Sequence, residues 1–195
     1  MKIYRPENLI NEYVWEQFKT QAPAFYNLYP KTVGGPDFIP FFPAGVGNIP
    51  PEVIDNDLPF IIFDKFTKVR TGAYKYFYPI KSEQMRYTIY GGSLSGDVPN
   101  GANRYGLTIN LTSLITAILD REDAAAYDIN EFAGTLNDYN DNSYPDLFKY
   151  SFHCLNVFQS GYAESQQDVS NLMEYRPSRD LIIKYDYHSK QYNES

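Results

Sequence analysis

LTSLITAILDREDAAAYDIN, residues 111–130, is apolar in its first half and carries three alanines between charged clusters in its second. Leu111, Leu114, Ile115, Ile118 and Leu119 recur at helical spacing, and Ala125, Ala126, Ile129, Phe132 and Ala133 continue that stripe to a stop at Gly134. The period never breaks, which predicts one helix of about 24 residues, about 36 Å long at the standard rise. A usual strand is only about 17–20 Å long. The Leu/Ile half therefore covers a sheet while the Ala half projects beyond it. Small residues flanked by Asp120, Arg121, Glu122, Asp123, Asp128 and Glu131 suit close approach by another protein surface, with Ala125 at the contact; an ordinary solvated helix end is the competing reading.

Upstream, Pro6 and Glu7 open a helix with Ile10, Tyr13, Val14 and Phe18 on one side, ending before Pro23. From Pro23 to Pro59 the chain carries eight of its thirteen prolines, so neither a helix nor a central strand can run far. A loop of this length inside a compact domain serves a function or a partner, or folds over its own core. Its aromatic residues Phe25, Tyr26, Tyr29, Phe38, Phe41 and Phe42 need cover, so residues 23–58 read as an extended loop or arm and not as a solvated linker.

PFIIFDKF (59–66) and EQMRYTIY (83–90) read as strands, the second with Met85, Tyr87 and Ile89 on one buried face. Residues 93–106 read as loop. LFKYSFHCLNVFQ (147–159) changes phase, and a bulge or edge switch near Cys154 restores its alternation. The last strand, DLIIKYDYH (180–188), alternates Leu181, Ile183, Tyr185 and Tyr187 with Ile182, Lys184, Asp186 and His188. The order predicts a single α+β domain over 1–195: a mainly antiparallel or mixed sheet packed by one long helix, with an N-terminal helix and a long Pro/Gly/aromatic-rich loop.

The chain has 17 basic and 24 acidic residues, a net charge of −7, with 19 Tyr and 13 Phe. That balance lacks the basic face of a sequence-reading nucleic-acid binder. An acidic wall past which DNA slides without sticking remains compatible with it. No secretory signal and no membrane span are read, and the single Cys154 fits a reducing compartment. Both matches to the glycosylation pattern, at Asn110 and Asn193, are then chance.

Catalytic and metal-binding patterns are incomplete. Asp138, Asn140 and Asn142 match the first ligands of a calcium loop, but Ser143 and Lys149 stand where Gly and Glu are required. The glycines of 91–106 lack the Lys-Ser/Thr of a phosphate cradle, and Leu94 occupies the nucleophile position of a Gly-x-Ser-x-Gly turn. His153 and His188 read as isolated on separate strands, with Cys154 facing away from His153. The acidic neighbours Glu122 and Asp123 diverge around a helix, and nothing builds a cleft around them. The expectation is no enzyme, no cofactor and no metal.

The segments LPFIIFDKF (58–66), EQMRYTIYG (83–91), ILDREDAAAYDIN (118–130) and LIIKYDYH (181–188), in that order, resemble the neck and tail-completion proteins of contractile-tailed bacteriophages, cyanophage types in particular. The likeness is to tail terminators and head-to-tail connectors and covers residues 58–190. It implies a virion structural protein assembled in the host cytoplasm, whose copies form a ring, commonly a hexamer, that caps the tail and joins it to the head. Partners implied are further neck, tail-tube, sheath or portal-connector proteins, with DNA passing through the channel and no membrane. The insertion between Tyr26 and Pro59 departs from the compact terminator pattern. On this view the second half of the helix, with Asp120, Arg121, Glu122, Asp123, Ala125 and Asp128, lies against the next subunit. The competing expectations are a monomeric binding module using Phe38, Phe41 and Phe42, and a hydrolase dependent on His153 or His188.

Overall fold

A computed structural model describes residues 5–27, 29, 39–44, 49–56, 58–72, 80–92, 102–136, 150–163 and 178–189. The helices are α1 (Pro6–Gln21), α2 (Pro23–Tyr26), α3 (Pro51–Asp55), α4 (Ala102–Leu119) and α5 (Asp123–Thr135). The strands are β1 (Phe41–Pro43), β2 (Phe60–Gly72), β3 (Ile80–Tyr90), β4 (Tyr150–Ala163) and β5 (Ser178–Ser189). They form one mixed sheet in the order β1-β2-β3-β5-β4, antiparallel except for the parallel β1–β2 pair. The α+β class read from the sequence is the class of the molecule.

Alternation decides which side of the sheet is buried. Met85, Tyr87 and Ile89 on β3 and Leu181, Ile183, Tyr185 and Tyr187 on β5 point to one face, and α1, α4 and α5 pack over it through Leu9, Ile10, Val14, Phe18, Ile115, Leu119 and Ile129. The opposite face presents Gln84, Arg86, Thr88, Lys184 and Asp186, the polar side expected of an antiparallel sheet with one wet surface. The bulge expected near Cys154 is present: Phe152 pairs with Tyr187 and Cys154 with Asp186, leaving His153 as the extra residue.

The single long helix is not what forms. α4 ends at Leu119, and α5 begins at Asp123. Between them Glu122 has φ 50 and ψ −119, the first corner of a type II′ turn closed by Ala124 N donating to Arg121 O at 3.0 Å. That corner normally belongs to glycine, so the break is imposed by tertiary contacts and not by local preference. Asp120 leaves the helix to accept a hydrogen bond from Val157 N on β4, at 3.3 Å. The Arg121 guanidinium turns back onto Ile118 O at 3.1 Å and caps α4. α4 also starts nine residues before Leu111, inside the stretch read as loop: Gly106 is tolerated within the helix at a cost of about 1 kcal/mol.

The bend brings the alanine half back over the sheet. Ala125, Ala126, Ile129 and Ala133 are buried against β4, and small residues allow this close approach. Asn130 completes the contact. Its Nδ2 donates to Phe152 O at 2.9 Å, and its Oδ1 accepts from Phe152 N at 2.8 Å. Phe152 lies on the edge strand, whose outward backbone groups would otherwise be open to pairing with another chain. Asn130→Ala is expected to cost about 1–3 kcal/mol, the penalty for leaving two part-buried backbone groups without partners. Urea unfolding measures the loss, and hydrogen exchange at the Phe152 amide should accelerate; unchanged exchange there would show that the edge is closed by something else.

The proline-rich segment also folds onto the core where it is described. Phe25, Tyr29, Phe41, Val53 and Leu58 are buried, and β1 forms an edge strand beside β2. Pro43 is tolerated because an edge strand has only one side to pair.

Candidate assembly site at the helix break

The turn between α4 and α5 opens a groove of about 440 Å³ against α1. Tyr13, Gln17 and Gln21 of α1 form one wall, Ala117 and Ile118 of α4 the floor, and Tyr127, Asp128, Glu131 and Phe132 of α5 the other wall, with Arg121 at the corner. Arg121 Nη2 donates to Asp128 Oδ2 at 2.6 Å and to Tyr13 OH at 3.0 Å. One guanidinium thus ties three helices together. The Tyr13 ring packs at 59° on Phe132, with centroids 5.9 Å apart.

Electrostatics fix the protonation of this corner. Burial raises the Tyr13 phenol above its ordinary range, and the Asp128 charge adds to the effect. Partial burial works against the Arg121 charge, but its hydrogen bonds and charge interactions with Asp128 and Tyr13 together outweigh it and hold the guanidinium more firmly protonated. Tyr127 is 63% exposed, and the neighbouring Glu131 carboxylate raises its phenol. The groove offers a neutral phenol, two amides, a partnered cation and a small apolar floor. These are polar groups and packing surface for a protein segment, with the carboxylates of Asp128 and Glu131 on one wall.

The residues singled out from the sequence divide in this setting. Arg121 and Asp128 meet in the groove. Glu122 and Asp123 are exposed at the turn, and Asp120 is exposed but spends one oxygen on the β4 backbone. Ala125 is fully buried by its own chain, so it is not available to a neighbour: the bend turns the alanine stripe inward. Phe41 is buried in β1 with its ring 5.5 Å from that of Tyr87, and Phe42 packs on Phe60 at 6.3 Å. Phe38 lies outside the described residues, as do the partial calcium loop at 138–149 and most of the glycine-rich stretch. Tyr127 escaped the sequence reading. Its one signal was an aromatic residue off the apolar stripe of a helix.

The two histidines, read as isolated, are in contact. His153 Nε2 and His188 Nδ1 are 2.6 Å apart, and with ring centroids 4.8 Å apart and 27° between their planes the rings meet edge to edge. The bulge also puts Cys154 on the same face as His153, because Asp186, its cross-strand partner, lies there. The thiol is raised above its ordinary range, chiefly by burial, so it is not an activated nucleophile. Among the described residues no three His, Cys, Asp or Glu side chains converge as a metal site, and no helix is long and apolar enough to cross a membrane. No protein-family model matches this chain, and no curated protein matches it.

Proposed function

We propose that the chain is a ring-forming structural subunit of a tailed-phage virion, acting in the neck or at the head-proximal end of the tail. Its copies join tail to head around a channel for DNA. The observation that carries this reading is the groove at the helix break, where exposed Tyr127 stands beside Arg121 and Glu131. Tyrosine and arginine are the residues that interfaces enrich, and they dominate association energies where they are desolvated. A groove on one side of a subunit, filled by a different element of the next copy, is the heterologous contact that closes a ring. The net charge of −7 supports a passage through which DNA moves without sticking.

The intramolecular role of Arg121 redirects the test. Replacing it would disturb the junction of α1, α4 and α5, whereas Tyr127 can change without touching the fold. Electron microscopy and light scattering of the purified wild type, alone and with isolated tail tubes, should show rings with a central pore. Tyr127→Asp should weaken association by more than about 30-fold, as loss of an interface anchor does, and leave Tm within a degree or so of wild type. A wild type that remains at 22.5 kDa under both conditions would sink the proposal; so would a Tyr127→Asp variant that assembles normally.

A further inference from the structure

We propose that His153 and His188 form a two-imidazole site for a borderline divalent transition metal, on the sheet face that the helices leave open. The chain has only two histidines, 35 positions apart, and the fold sets their ring nitrogens at 2.6 Å. The device that does this is the β4 bulge. Phe152 and Leu155 both face the core, so the extra residue turns His153 outward beside the end of β5. His153 is exposed and His188 half-buried, so a metal reaches the pair from solvent. Asp186, two residues before His188 on the same face, adds negative charge nearby.

Imidazole nitrogen suits Zn²⁺, Ni²⁺ and Cu²⁺ rather than Mg²⁺ or Ca²⁺. Two nitrogens bound at about 2.0–2.1 Å stand about 3.3 Å apart at the tetrahedral angle, so the rings need to part by less than about 1 Å and tilt until both lone pairs point at the ion. In the free pair one of the facing nitrogens carries the shared proton. The metal takes its place, and that ring's proton passes through solvent to its far nitrogen, leaving both rings neutral and ligated. Water fills the remaining positions.

The untagged full-length chain, stripped of metal, is titrated with ZnCl₂ by calorimetry while its imidazole nitrogens are followed by NMR. One Zn²⁺ should bind per chain, shift the Nε2 of His153 and the Nδ1 of His188, and raise Tm. His153→Ala and His188→Ala should each lower the affinity by at least about tenfold, the scale of losses at metal sites. Their metal-free Tm shows whether they remain folded. Cys154→Ser should bind as wild type. Unmoved imidazole signals at saturating Zn²⁺, equal affinity in either histidine variant, or loss of binding in Cys154→Ser alone would each overturn the proposal.

Discussion

Raising the pH well above about 10 is expected to unfold this protein, because its most deeply buried titratable side chains among the described residues are phenols that must stay protonated. Tyr29, Tyr87 and Tyr185 are almost wholly buried, and burial holds all three well above the ordinary tyrosine range; Tyr187 is raised as well, by burial and by Glu83. Tyr29, Tyr87 and Tyr185 each use the hydroxyl as a hydrogen-bond donor. Tyr29 donates to Pro59 O, Tyr87 to Asn11 Oδ1, and Tyr185 to Glu83 Oε2 at 3.3 Å. Losing the proton would set a phenolate against a carbonyl, an amide oxygen or a carboxylate.

The sign follows from which state holds the protons. Above about pH 10 the unfolded chain releases these protons and the folded chain keeps them, so stability falls as pH rises. Their contribution is complete below the unfolded value and is lost as pH climbs from there towards the folded values. Each group contributes a slope of about 1.4 kcal/mol per pH unit, so three or four together give about 4–5.5 kcal/mol per unit. Against a typical total of about 5–15 kcal/mol, about one to three units above the unfolded value suffice. Urea midpoints measured across this range should fall steeply, and phenolate absorbance should jump with the loss of circular dichroism. Tyr185→Phe should reduce the slope by about one proton's worth. A stability that stays level from pH 9 to 11 would show that these phenols ionise inside the folded protein.

The strands were readable because each carries its own period. Met85, Tyr87 and Ile89, and Leu181 through Tyr187, need only the chain's pleat to face inward together, and the phase change at Cys154 announced its bulge. The helix break was not readable, because the apolar spacing runs unbroken across Asp120–Glu122 while the causes of the break lie elsewhere: Val157 N on β4 for Asp120, Tyr13 on α1 and Asp128 on α5 for Arg121. Reading those alanines as an outward contact followed from that straight helix. β1 hid behind Pro40 and Pro43, whose meaning depends on being at an edge. The histidine contact needs the β4–β5 register, which no local pattern carries. What the sequence held was periodicity; the groove and the histidine pair come from where elements meet.

The other large effect is expected at Trp15. Its ring is 5% exposed at the centre of an aromatic cluster, with centroids 5.8 Å from Phe18, 6.0 Å from Phe25, 4.8 Å from Tyr26 and 5.4 Å from Tyr29. Three of these four partners belong to the start of the proline-rich segment, where the described residues have only the four-residue α2 as regular backbone structure to hold them. Ring contacts do that work in its place, with edge-to-face geometry at Phe18, Phe25 and Tyr29 adding to the area buried. Trp15→Ala removes the common partner of all of them and should cost about 3–5 kcal/mol, the range for emptying an aromatic site in a core. That is enough to unfold a protein of ordinary stability at moderate temperature. The loss should begin at the segment the indole anchors: limited proteolysis of the variant should cut first between Pro23 and Pro59, under conditions where the wild type stays whole. Trp15→Phe keeps a ring in place and should recover part of the loss. If Trp15→Ala lowered stability by less than about 1 kcal/mol, the value for an ordinary substitution, or left the cleavage pattern unchanged, the arm would be held by its own backbone and not by this ring.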